Sequence, residues 1–412
     1  MRMLFVSNFY PPHHLGGYEM LCHEVTTHMI ARGHQVSVLT STYGLNGYQQ
    51  EEPGIYRKLR LESDIHFYRP HHTLRYWANR RANMSAVEDV VTEVNPEVVV
   101  VWGMWNLSNL VAKRIETLVG SRTVYYISDR WPTIPNAHRA YWEQEETSRP
   151  AQIFKALFRP SVRLILHEAW EPTDLRFENV LICSEAMRDQ LLDDGAPFDH
   201  AEVLYHGIDP HPYREARARH TDDHDSDKLR LVFVGTLVPH KGPHTIIEAL
   251  THLREDEPDV PVSLTILGKG HPPYEERLRR LAQRGQLETH VTFHEPIPRS
   301  ELPDFLAQFD VLVQPSIYAE PQARISQEAM AAGLVLVATP TGGTREILEH
   351  NRNGLEFEPE DAEELATQIR RLRENPELAQ RLTRAAWETV SERFTIFRMI
   401  EAFEAFVQAV AG

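Results

Sequence analysis

Four consecutive valines, Val98–Val101, constrain this chain most, because a strand apolar at every position must be covered on both faces. A sheet with one face in water alternates apolar and polar residues. A parallel sheet with helices on both sides does not. Further strand candidates flank the valines: MLFVSN from Met3, QVSVLTS from Gln35, IHFYRP from Ile65, RTVYYIS from Arg122, NVLICSE from Asn179 and HAEVLYHG from His200. Helical patterns lie between them, for example over 18–31 and 83–94. Alternation of this kind predicts a doubly wound α/β sheet.

The rhythm then stops and starts again. Residues 211–228 (HPYREARARHTDDHDSDK) are polar, charged and poor in large apolar side chains, and read as a linker. From Leu229 the alternation resumes with LRLVFVGT, VSLTILG, VTFHE, VLVQPS and LVLVAT. The predicted organisation is a first α/β domain over 1–210, the linker, and a second α/β domain over 229–394. The final segment, 395–412, reads as an amphipathic helix, with Ile396, Met399, Ile400, Phe403 and Phe406 at helical spacing. Residues 131–177, rich in Trp, Pro and charge, read as a helical insertion at the carboxyl edge of the first sheet. A length of 412 residues suits two domains better than one.

Charge and cysteine use narrow the function classes. With 43 basic against 59 acidic residues the net charge is −16, which argues against general nucleic-acid binding. Cys22 and Cys183 lie far apart in apolar segments and read as buried free thiols of a reducing compartment. Too little apolar length follows Met1 for a signal peptide, and no run reaches membrane-spanning length, so a cytoplasmic protein is expected. A basic stretch over 149–163, with Arg149, Lys155, Arg159 and Arg163 among apolar residues, offers peripheral contact with an anionic membrane face. The plainer reading, a solvated face over the core interrupted by Pro160, is preferred.

The chemistry concentrates in AEPQARISQEAMAAG, which follows Tyr318. Glu320 falls in a loop before a helix that begins near Ala323, and Glu328 projects from the second turn of that helix. The first amides of the helix are a seat for a phosphate. Carboxylates and amides together suit a ligand with hydroxyls and phosphates, such as a nucleotide sugar. Lys241, before Gly242 at the mouth of another helix, holds a diphosphate or is simply solvated. Gly16 and Gly17 after the first strand, and Gly342 and Gly343 after a later one, either admit a ligand or turn the chain. Asp223-His224-Asp225 has the spacing of a metal pair but sits in the hydrophilic linker. Neither His13-His14 nor His71-His72 makes a metal motif, because adjacent side chains point apart.

Together the stretches MLFVSNFYPP…GGYE, ARGHQVSVLTS, CSEAMRDQLL with HGID, VGTLVPHKG, LTILGKG, VTFHEPI and EPQARISQE resemble the retaining glycosyltransferases of the GT-B fold, glycosyltransferase family 4. The resemblance covers nearly the whole chain. It implies two Rossmann-like domains facing across a cleft, with the C-terminal helix crossing back to the first. It implies that Glu328 binds the ribose hydroxyls, that Glu320 faces the donor sugar, and that amides near Ile325 and Ser326 hold the phosphates. Lys241 would neutralise the diphosphate leaving group, and Gly16, Gly17 and Gly343 would close on the donor. Two positions depart from the family pattern. Thr236 stands where an Arg is common, and Ser128-Asp129-Arg130 stand where a His is common, making these three the acceptor-side candidates. Arg324 and Arg130 are candidates to replace the missing cation, and Ala323 replaces a frequent Gly.

The implied reaction is metal-independent transfer, with retention, from a nucleotide sugar to a hydroxyl acceptor. The donor is a UDP-sugar first and a GDP- or ADP-sugar otherwise, as substrate, with no cofactor required. A nucleotide-sugar epimerase of the same fold and a catalytically weak nucleotide-sugar binder are the alternatives.

Overall fold

A computed structural model describes residues 1–45, 52–65, 67–145, 148–171, 173–220 and 228–412, so Asp223-His224-Asp225 lies outside the described residues. The chain forms two compact units. The first contains 1–183, 187–204 and 400–412; the second contains 184–186 and 205–399.

The first unit is built on seven strands: β1 (Arg2–Ser7), β2 (Gln35–Ser41), β3 (Ile55–Leu59), β4 (Val98–Val101), β5 (Thr123–Ile127), β6 (Asn179–Ile182) and β7 (Glu202–Val203). Their order is β3-β2-β1-β4-β5-β6-β7, and every pairing is parallel. All four valines of β4 are buried, as a strand covered on both faces requires. Within this unit Phe403 of the C-terminal segment packs on Phe5 (ring centroids 5.9 Å) and Trp102 (6.2 Å).

Among the described residues no strand begins at Ile65, and β3 lies ten residues earlier, at Ile55. The reason is a buried cation in its middle. Arg57 pairs with Glu52 at 2.6 Å and donates to the carbonyls of Tyr10 (3.1 Å) and Pro11 (2.6 Å), which spoils the apolar signature of an edge strand. The 131–177 insertion is helical, with Ala137–Glu143, Arg149–Ile165 and His167–Trp170. Tyr76, Trp142, Val162, Leu166, Ala169 and Trp170 form a satellite core beneath it. Pro160 does not break the Arg149–Ile165 helix.

The second unit has six parallel strands: β8 (Leu229–Val234), β9 (Val262–Leu267), β10 (Val291–His294), β11 (Val311–Gln314), β12 (Val335–Ala338) and β13 (Gly354–Glu356). They are ordered β10-β9-β8-β11-β12-β13. Two apolar cores cover its two faces, one centred on Ile246, Leu264 and Ile369, the other on Leu312, Met330 and Leu336. Residues 211–219, expected as linker, form the helix His211–Arg219 of this unit. Its buried Tyr213 and Ala216 are too few to show in a polar sequence. Arg217 fixes it by donating to the carbonyls of Ala307 (2.9 Å) and Phe309 (2.8 Å).

Candidate active site

In an open α/β sheet the crevice lies where the strand order reverses, beyond the carboxyl ends of the two central strands. In the second unit those strands are β8 and β11, and the loops that leave them carry Lys241 and Glu320. The two residues, 79 apart in sequence, meet there: Lys241 Nζ lies 2.6 Å from Glu320 Oε1. Glu320 is 4% exposed. Its carboxylate also accepts from Ser316 Oγ (2.5 Å) and from the Tyr318 hydroxyl (2.7 Å). Burial and this carboxylate raise the Tyr318 phenol well above its ordinary value, so it stays a donor. The Lys241 ammonium sits 5.0 Å from the centre of the Tyr318 ring. Burial, with Lys241 adjacent, holds His240 below its ordinary range.

The glycine loop explains why the Glu320 segment has this path. Gly343 N–H donates to the Glu320 carbonyl at 2.7 Å. A Cβ on Gly343 would collide with the Pro321 carbonyl, and one on Gly342, at φ +53°, with the Glu320 backbone. Backbone approaching backbone this closely requires glycine at both positions. From the other side Ser184 Oγ donates to the Pro321 carbonyl at 2.6 Å.

Glu328 lies in the second turn of the Arg324–Ala331 helix and is buried. Arg299 Nη2 donates to its Oε1. Ser326, expected to offer an amide, already donates that N–H to Ala323 (3.1 Å) and its hydroxyl to Gln314 Oε1; Ile325, the second residue of the helix, is half-buried. Arg324 donates to the Gly207 carbonyl at 3.4 Å. With burial, its charge holds the neighbouring His206 imidazole down to about 3. Thr236 is exposed in the loop after β8.

In the first unit Gly16 caps the Gly17–Ala31 helix and donates its N–H to Glu19 Oε2 at 2.8 Å. Its extended backbone (φ −157°) suits any residue, and a Cβ there would meet nothing nearer than 3.7 Å. Ser128 is buried after β5. Asp129 accepts from the Trp131 N–H at 2.8 Å, and burial, reinforced by the charge of Glu19, pushes it up to about 6. Arg130 forms a two-pronged bond to Asp194 (2.9 Å to each oxygen).

Two family models match consecutive parts of the chain: Glycosyltransferase Family 4 over residues 15–211 and Glycosyl transferases group 1 over residues 215–389. The chain belongs to glycosyltransferase family 4 and has the GT-B fold. Among curated relatives, the D-inositol 3-phosphate glycosyltransferase of Pseudarthrobacter chlorophenolicus is 31% identical over 47% of this chain, which spans about half (46%) of that relative's length. The glycogen synthase of Mycobacterium tuberculosis is 28% identical over 96% of this chain and 91% of its own. The solved structure of Anabaena Alr3699/HepE with UDP and glucose superposes with a TM-score of 0.69 at 20% identity, covering 99% of both chains.

Sequence reasoning singles out Glu320, Glu328 and Lys241 but not Ser316, Tyr318 and Arg299, which hold the two carboxylates. Tyr318 stands two residues before Glu320, within reach of a reading that treats the loop as a hydrogen-bonded unit. Nothing local marks Arg299. Among the described residues no group of three His, Cys, Asp or Glu is placed to hold a metal, and no helix is long and apolar enough to cross a membrane.

Proposed function

We propose that this glycosyltransferase moves a hexosyl group from a nucleotide sugar, a UDP-sugar before a GDP- or ADP-sugar, to a hydroxyl of an acceptor with retention of configuration. The observation that carries the reading is the Lys241–Glu320 pair at the strand-order reversal of the second unit. Its ammonium is placed at a crevice mouth where a diphosphate gains charge as the sugar–phosphate bond breaks. An ion held in advance at that point stabilises the transition state more than the ground state. Glu320, fixed by Ser316 and Tyr318, presents acceptor lone pairs for sugar hydroxyls. Glu328, held by Arg299, does the same for ribose hydroxyls. Lys241 supplies the positive charge at the leaving group, so the transfer runs without a metal. At Gly16 neither backbone nor packing calls for glycine, which supports a role in leaving room for the donor. The complex of Anabaena Alr3699/HepE with UDP favours uridine as the base.

A thermal-shift screen of UDP, GDP, ADP and their sugars tests this reading, since a ligand that binds only the folded state raises the melting temperature. The expected result is a rise with one nucleotide family, slow hydrolysis of its sugar without acceptor, and loss of the rise in Glu328→Ala. Full nucleotide affinity in that variant would overturn the assignment.

The Arg149–Ile165 helix adds a location. Ile153, Leu157, Phe158, Leu164 and Ile165 are exposed, so most of its apolar residues do not lie over the core as the plainer sequence reading expects, Val162 being the one that does. Arg149, Arg159 and Arg163 accompany them with no acid in the helix, on a chain of net charge −16. Exposed apolar area with local positive charge supports peripheral contact with an anionic bilayer, at the cytoplasmic face.

A further inference from the structure

Fifteen large apolar side chains are exposed among the described residues, and eight of them lie on two helices of the first unit. Six belong to the Arg149–Ile165 helix. The other two, Leu74 and Trp77, are 84% and 40% exposed in the first turns of the His71–Val94 helix. Single exposed apolar residues need no explanation, but a cluster holding more than half of them marks an interaction surface.

The two helices are bound side by side. The Trp142 indole donates to Thr73 Oγ1 at 3.1 Å, and its ring stacks on Phe154 with centroids 5.9 Å apart. Tyr76 shares the core beneath with Val162 and Leu166. Arg80 Nε lies 2.7 Å from Glu168 Oε2, and the Trp77 and His167 ring centres are 6.4 Å apart. Helical spacing puts Leu74 and Trp77 on one side of their helix. On the other helix residues 153, 157 and 164 form one row, and 154, 158 and 165 the row beside it, clear of buried Lys155 and Val162.

Charge chooses the partner. No acid occurs over 71–87 or in the Arg149–Ile165 helix, on a chain of net charge −16. Arg75 and Arg81 are exposed on one helix, and Arg149, Arg159 and Arg163 on the other. A second copy docked through the same face would set these arginines against one another, at a cost. An anionic bilayer answers both features, because acyl chains take the apolar rows and headgroup phosphates take the guanidinium groups.

We propose that Leu74 and Trp77 form a second anchor, so that the first unit meets an anionic bilayer through two helices at once. The inference rests on the bilayer contact read above for the Arg149–Ile165 helix, and it adds an orientation. One helix lying in an interface leaves rotation about its own axis open; a second anchor removes that freedom. The His71–Val94 helix starts beyond the carboxyl end of β3, so the carboxyl edge of the first sheet is the edge held next to the lipid. Joined anchors also bind more tightly than either alone, since the second engages at a high effective concentration.

The test places a nitrobenzoxadiazole label at Leu74→Cys, at Leu157→Cys and, as control, at Ile30→Cys, whose native residue is 57% exposed on the Gly17–Ala31 helix. Native Cys22 and Cys183 are buried and stay unlabelled in the folded protein. With phosphatidylglycerol vesicles a blue shift is expected at 74 and 157 and not at 30. Leu74→Ser should weaken partition into the vesicles about tenfold, and the double variant with Leu157→Ser about a hundredfold, with urea midpoints unchanged. A shift at 157 alone, or full partition in Leu74→Ser, would overturn the second anchor and leave the single-helix contact standing. No shift at either position would overturn both. Equal partition into phosphatidylcholine vesicles would refute the anionic partner. A lipid-free shift at 74 that grows with protein concentration would assign the surface to a second copy and refute the bilayer.

Discussion

Glu320 in the second unit and Glu62 in the first are almost equally buried, at 4% and 6% exposed, and are served in opposite ways. Glu320 receives an ammonium and two hydroxyls. Glu62 receives one backbone N–H, and burial pushes it up to about 7. A carboxylate paired with a cation is an ionic device, suited to a ligand whose own charge changes during reaction. A buried carboxyl group near neutrality is a hydrogen-bonding device, able to donate as well as accept. The contrast is between a carboxylate paired with a cation and a carboxyl group whose protonation burial favours.

The largest break in that comparison comes from Lys241→Met. It keeps the length of the side chain and removes the cation that faces Glu320 and, in the proposed reaction, the diphosphate. Sugar transfer is expected to fall about 10²–10³-fold, as for loss of one preorganised charge-stabilising donor. Single-turnover kinetics at saturating donor check it. A loss below about tenfold would remove Lys241 from the chemistry and leave it a structural partner of Glu320.

Stability against pH sharpens the comparison, because the two units carry buried groups of opposite sign. In the second unit His206, held near 3, stays neutral in the fold while the unfolded chain takes up a proton below about 6.5. Its contribution is complete above that value and is lost as pH falls. In the first unit Glu62, near 7, is protonated in the fold but ionised in the unfolded chain above about 4.5. Its contribution is complete in acid and is lost as pH rises through 7. Urea unfolding at several pH values is expected to show His206→Gln reducing the acid-side loss by about 2 kcal/mol near pH 5. Glu62→Gln should flatten the fall between about pH 4.5 and 7. His206→Gln with an unchanged acid limb would show that other groups, His138 among them, dominate it.

How much of this was legible in the sequence differs between the same two regions. Glu320, Glu328 and Lys241 stand out because each lies just before a helix or in its first turns, where local spacing carries the signal. Their supports are not. Arg299 reaches Glu328 from 29 residues away, and the Lys241–Glu320 pair spans 79, distances that only the folded sheet closes. Glu62 carries no local signal: it is one acid beside Ser63 and Asp64, buried because Asn106, Ala137 and Trp131 assemble around it. The misplaced third strand has the same cause in reverse. Buried Arg57 hides β3, while Ile65, Phe67 and Tyr68, apolar enough to suggest a strand, line a cavity with Trp105 and Trp131.

The smallest expected effect concerns the insertion, where sequence and structure part most clearly. The Arg149–Ile165 helix buries Lys155 and Val162 while Leu157 is 70% and Leu164 78% exposed. Lys155 holds the inner side by donating to the carbonyls of Tyr141 (2.5 Å) and Gln144 (3.1 Å). A polar anchor inward and leucines outward invert the usual amphipathic order, so a change at Leu157 tests the outer medium and not the core. Leu157→Ser is expected to leave urea stability within about 0.5 kcal/mol, as for an exposed site. It should weaken sedimentation with phosphatidylglycerol vesicles by about tenfold, since removing most of one apolar side chain from a membrane interface forfeits about 1–2 kcal/mol. Added salt should weaken the wild type further by screening Arg149, Arg159 and Arg163. Equal sedimentation with zwitterionic vesicles, or none lost in Leu157→Ser, would turn the exposed leucines into an ordinary solvent face.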